Sequence, residues 1–188
     1  MTDLLDGILE QLGEGGVAKL SNSLGVDQSQ MGGLLASSLP SILAGMANNT
    51  KTPEGASALS NALGAHDGSI FDSLPDLIGK GGGDGGKILG HVLGNKQSGI
   101  EQGLAKKSGV DLSIIMKLLP ILAPLVMGYL SKQKSSQGLD AGGLGDILGR
   151  ERTNTERSNP GLGGLAAILD SNGDGSFIDD ILGKLGGA

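Results

Sequence analysis

Ile114-Ile115-Met116-Lys117-Leu118-Leu119-Pro120-Ile121-Leu122-Ala123-Pro124-Leu125-Val126-Met127-Gly128-Tyr129-Leu130 is the most apolar stretch of this chain. Its length touches the lower limit for a membrane span, about 17 residues. Lys117 lies inside it, and Pro120 and Pro124 each remove a backbone donor that lipid would demand. A helix apolar on every side is also what the centre of a water-soluble bundle requires. The run is read as a buried core helix, and its flanks decide what packs around it.

Outward from it, apolar residues recur at intervals of three and four. Leu5, Ile8, Leu9 and Leu12 form one such face, and Leu35, Leu39, Ile42, Leu43 and Met46 another. No stretch alternates with period two, and 31 leucines outnumber the 18 Val and Ile residues. Glycine, 36 residues in 188, punctuates. Gly13, Gly25, Gly64, Gly79, Gly94 and Gly109 each follow an apolar run, where a left-handed residue ends a helix most easily. Asp27 with Gln30 resembles a capping box, and Thr52-Pro53-Glu54 sets a capping oxygen before a first-turn proline. The expected fold is all-α, a compact multihelical bundle of about eight short helices.

Two echoes subdivide the bundle. Leu20-Ser21-Asn22-Ser23-Leu24-Gly25 returns as Leu59-Ser60-Asn61-Ala62-Leu63-Gly64. Gly25-Val26-Asp27 returns as Gly109-Val110-Asp111, each leading to a proline-bearing apolar segment, Leu39-Pro40 and Leu119-Pro120. The two Gly-to-Pro intervals differ by about one helical turn. Two related helical units are expected, each ending a helix at Gly, capping the next with Asp and kinking it at Pro. Residues 1–134 form the helical domain. Ser, Gly and charge then dominate 135–160, read as a flexible polar linker with one helical turn at 144–148, before a short tail, 161–188.

Composition excludes several chemistries. Without cysteine there is no disulfide, thiol nucleophile or Cys-ligated metal. Two histidines, no Trp and three aromatics supply neither a His-rich centre nor base stacking. The net charge of −6 argues against nucleic acid. That charge is uneven: residues 95–134 are net basic between acidic flanks. Lys106, Lys107, Lys132 and Lys134 could face anionic lipid, though solvation against the chain's own acidic ends is preferred. The acidic N-terminus lacks a signal-peptide pattern, so a cytoplasmic location is expected.

Three motifs bear on chemistry. Gly81-Gly82-Gly83-Asp84-Gly85-Gly86-Lys87-Ile88 nearly matches a phosphate-binding loop, but Ile88 stands where a hydroxyl should hold magnesium. It is read as a flexible hinge. His91, between Gly90 and Gly94, is read as packing where glycines let helices approach, and His66 has no ligand-spaced partner. The tail carries the most specific pattern. In Asp170-Ser171-Asn172-Gly173-Asp174-Gly175-Ser176, oxygens of Asp170, Asn172 and Asp174 and the Ser176 carbonyl fall at calcium-loop positions, with Gly175 at the sharp turn. Ile181 replaces the closing bidentate Glu, so Asp179 or Asp180 would close a shorter, weaker Ca2+ site. The same residues also suit an acidic turn capping a last helix.

Ile88–Gly94, Leu104–Asp111 and Leu118–Leu130 together resemble the YidB-like family of bacterial proteins, a domain of unknown function. The resemblance implies a compact multihelical fold and a bacterial source, and assigns no catalytic residue. The expected function is that of a non-enzymatic structural or interaction protein, self-associating through apolar helical faces. The alternatives are a calcium-responsive module and a peripheral membrane protein.

Overall fold

A computed structural model describes residues 4–158 apart from 67, with the backbone alone for 155–158. Eight α-helices are present among the described residues: α1 (Leu4–Leu24), α2 (Gln28–Asn49), α3 (Pro53–Leu63), α4 (Leu74–Gly79), α5 (Gly85–Leu93), α6 (Gln97–Ser108), α7 (Leu112–Gln137) and α8 (Ala141–Ser158). Short 3-10 turns lie at Gly68–Phe71 and Gly94–Lys96. The all-α expectation holds. The helices are not all short, however: α7 runs 26 residues, α2 22 and α1 21.

Helix α7 is the centre of the bundle. Every residue from Ile121 to Leu130 is buried, with α1, α2, α3, α5 and α6 packed around it. This stretch belongs to the apolar run 114–130, and the fold uses it as core. Asp111 starts α7 as an N-cap, accepting the Ser113 N–H at 2.8 Å, and Gly138 ends it in the left-handed region at φ 61. Thr52 caps α3 by accepting the Gly55 N–H at 3.1 Å, with Pro53 behind it, as the sequence predicts. Asp27 occupies the N-cap position of α2 but makes no side-chain capping bond.

The glycine punctuation is more varied than expected. Gly25, Gly94 and Gly109 do take positive φ at helix ends. Gly64 is right-handed, and Gly13 kinks α1 from within at φ 61, ψ 176. The echo around Leu59–Gly64 therefore does not repeat the turn at Gly25.

The second echo is a true structural repeat, in a different register from the one the first proline suggests. Gly25, Asp27 and Pro40 stand 84 positions before Gly109, Asp111 and Pro124. With that offset the buried positions of α2 fall on those of α7 without a gap: Met31 on Ile115, Leu34 on Leu118, Leu35 on Leu119, Ile42 on Val126 and Met46 on Leu130. Pro124 is the counterpart of Pro40, and Pro120 is additional. One slot is mismatched. Ser38 sits where α7 places Leu122, and its buried hydroxyl has no hydrogen-bond partner. An orphaned hydroxyl costs about 1–3 kcal/mol. Ser38→Ala is therefore expected to raise stability by about 1 kcal/mol, read as a shift in the urea midpoint at unchanged slope.

The polar stretch expected to be a linker is helical over its described part. Residues 135–137 finish α7, and α8 packs on α2 and α3 with Leu144 and Leu148 fully buried. Its few apolar residues fall at i and i+4 and are enough to dock one face, although polar residues and glycine dominate its composition.

Candidate functional site

The candidate calcium ligands Asp170, Asn172, Asp174, Ser176, Asp179 and Asp180 lie outside the described residues. Among the described residues no group of three His, Asp or Glu side chains is placed to hold a metal ion. His91 is exposed and its backbone carbonyl accepts from Asn49 Nδ2 at 2.9 Å. The flanking Gly90 and Gly94 have open space around them, so the packing role expected of them is absent. Gly45 supplies it instead, closing α2 onto Val92 and Leu93.

Gly81–Lys87 is a turn and first helical residues packed on α7 through Gly82 and Gly85. Gly81, Gly82 and Gly83 all have positive φ. Pro124 has no N–H to give the Pro120 carbonyl four residues back, and the Gly82 and Gly85 backbone closes directly on that carbonyl. A side chain at either glycine would collide with it. Lys87 is held by Asp84 at 2.9 Å, which keeps the Asp84 carboxyl below its usual range, first through the hydrogen bond and then through charge. Hydrogen bonding from Ser113 likewise lowers Asp111.

The four lysines read as one basic face are split between the two ends of α7. Lys132 Nζ donates to Gln11 Oε1 at 3.2 Å and Lys134 Nζ to the Ser60 carbonyl at 2.8 Å, tying α7 to α1 and α3. Lys106 and Lys107 end α6 at the opposite corner, exposed, with Lys117 exposed on the first turns of α7.

At that corner Leu112 is 37% and Met116 53% exposed. They are one turn apart on the same face of α7. The repeat supplies an internal control. The same positions of α2 carry Gln28 and Gly32, with Gly33 opposite Lys117 and Asn22 and Ser23 opposite Lys106 and Lys107. All of these are exposed as well: both members of each pair face solvent. The fold thus accepts small or uncharged polar residues here, and only one of its two equivalent corners is apolar and basic. The sequence reading missed this corner because it counted Met116 within the core run. The 84-residue register would have exposed it.

The other end of α7 lines a cavity of about 880 Å³ shared with α1 and α8. Its floor is an amide ladder: Gln137 Nε2 donates to Gln133 Oε1 at 2.6 Å, and Gln133 Nε2 to the Tyr129 hydroxyl at 2.8 Å. Gly7 makes room for that hydroxyl. Glu151, 5% exposed, accepts the Leu4 and Leu5 N–H groups at 3.1 and 3.2 Å and closes one end. Glu10 on α1 and Asp146 on α8 are exposed carboxylates on facing rims.

A family model described as a bacterial protein of unknown function (DUF937) matches residues 6–133. No curated protein and no solved structure matches the chain.

Proposed function

From the premise that this chain belongs to the DUF937 family of bacterial proteins of unknown function, we propose that it is a non-enzymatic structural protein that self-associates through the α6–α7 corner. The observation that carries this reading is the pair Leu112 and Met116, left open where the sister helix has Gln28 and Gly32. Exposed apolar side chains that the fold does not need, rimmed by charge, mark contact surfaces. A second copy suits the chemistry. The corner is basic, with Lys106, Lys107 and Lys117, while the whole chain is net −6, so each molecule offers the next an oppositely charged surface.

Sedimentation velocity on the full chain over a concentration series tests the reading. Concentration-dependent assembly is expected, and Met116→Glu should weaken it about 30-fold, the size of a 2 kcal/mol hot spot. Met116 is exposed, so the variant should keep its helical signal. A wild type that stays monomeric throughout would sink self-association. If that monomer sediments with phosphatidylglycerol vesicles through Met116, the corner serves a membrane surface instead.

A further inference from the structure

Leu112 and Met116 are the exposed large apolar side chains among the described residues. No described surface of a second copy therefore offers them an apolar match except the same corner. Corner against corner would bring Lys106, Lys107 and Lys117 of both copies together and be opposed by their charge. Residues 159–188 follow α8 outside the described residues and hold nine large apolar side chains. Five of these fall within Phe177-Ile178-Asp179-Asp180-Ile181-Leu182-Gly183-Lys184-Leu185. At the helical spacing of about 100° per residue, Phe177, Ile178, Ile181, Leu182 and Leu185 share one face. Asp179 falls on one border of that face, and Asp180 with Lys184 on the other. The other apolar cluster of the tail, Leu162–Leu169, has no charge within it.

We propose that segment 177–185 of one copy docks its apolar face on the Leu112–Met116 corner of the next. This rests on the self-association reading and names the partner surface. The charges are opposed on balance. Residues 170–188 carry Asp170, Asp174, Asp179 and Asp180 against Lys184. Within residues 100–120 the exposed charges are Lys106, Lys107 and Lys117 against Asp111, whose carboxylate already accepts the Ser113 N–H. The length of the chain allows the contact. Asn154, one turn before the end of α8, lines the same cavity as Gln133, so the tail departs from the end of α7 far from the corner. From Met116 to Gln133 is about 26 Å at 1.5 Å per residue. Eighteen residues separate Ser158 from Phe177, enough to span about 60 Å when extended. The contact joins two different patches, so it is heterologous, and copies add head to tail into an open chain or a ring.

Complementation between full-length chains tests it. One variant loses the corner (Met116→Glu with Lys117→Glu) and a second loses the segment (Ile181→Glu with Leu182→Glu). Met116 and Lys117 are exposed, so the corner variant should keep the helical signal of wild type. Each variant alone should sediment as a monomer at concentrations where wild type assembles. Mixed, they should form a heterodimer of one copy each, because one intact corner and one intact segment remain. A labelled peptide of residues 170–188 gives a second readout, by fluorescence anisotropy. It should bind the segment variant, and the corner variant about 30-fold more weakly. A segment variant that assembles like wild type would overturn the proposal. So would a mixture that stays monomeric, the result if each segment covered the corner of its own chain, or a peptide that binds both variants equally. In each of these cases assembly by wild type would leave self-association standing. A wild type that never assembles removes both.

Discussion

Gly85→Ala should lower stability by about 3 kcal/mol, the upper part of the range for forcing one extra methyl group into a packed site. A Cβ at Gly85 would land on the Pro120 carbonyl oxygen, with the Pro120 carbonyl carbon and Cα directly behind it. These are backbone atoms in the middle of the central helix, so no side chain can rotate away to make room. The substitution also pushes the α5 backbone away from the Pro120 carbonyl, to which Pro124 cannot donate. Gly86→Ala is the matched control. It is the next residue, also in α5, with open space around its missing Cβ. There the better helix propensity of alanine should leave stability unchanged or raise it by a few tenths of a kcal/mol. Urea unfolding of the two variants side by side checks both. Equal midpoints would refute the close approach of the glycine turn to α7, and with it the account of why this segment is so rich in glycine.

That contrast shows where reading the residues in order works and where it stops. Helix class, the buried run from Ile121 to Leu130, the Thr52 cap and the left-handed glycines at Gly25 and Gly109 follow from local rules of periodicity and backbone sterics. Such rules act over one or two turns. Gly82 and Gly85 look like any flexible glycine cluster until Pro120, 35 residues past Gly85, is brought against them. Lys106 and Lys132 belong to one basic block in the sequence, yet the length of a rigid helix separates them. Met116 shares an apolar run with Leu118 and Leu119 but points out of the bundle, because only the later turns of α7 are surrounded on all sides. The cavity draws on α1, α7 and α8, which no local pattern joins. Internal repetition was the one long-range signal available, and its information lay in the register: aligned on Pro124, α2 predicts which positions of α7 need no apolar side chain.

Leu148→Ala should cost about 3 kcal/mol, although Leu148 lies beyond the 6–133 region that the family model matches. Leu148 is 0% exposed on α8, and α8 packs on α2 and α3. Truncation to alanine removes the apolar burial and leaves a cavity between helices held by other contacts. Those contacts limit how far the site can collapse. Leu144 fills the neighbouring turn, Glu151 closes α8 onto the first amides of α1, and Arg152 Nη1 donates to Asn48 Oδ1 at 3.3 Å. One face of α8, with Leu144, Leu148 and Glu151 at i, i+4 and i+7, thus meets α2 and α3 through leucines and α1 through a buried carboxylate. If α8 were a separate appendage, Leu148→Ala would leave the main transition untouched. A single unfolding transition displaced to lower urea, at unchanged slope, is the expected result and makes α8 part of the cooperative unit. It would also bear on the cavity, because α8 supplies one of its rims: a chain that ends before Ala141 would lose Asp146 and Glu151 together, and with them both the recess and the anchor of α1.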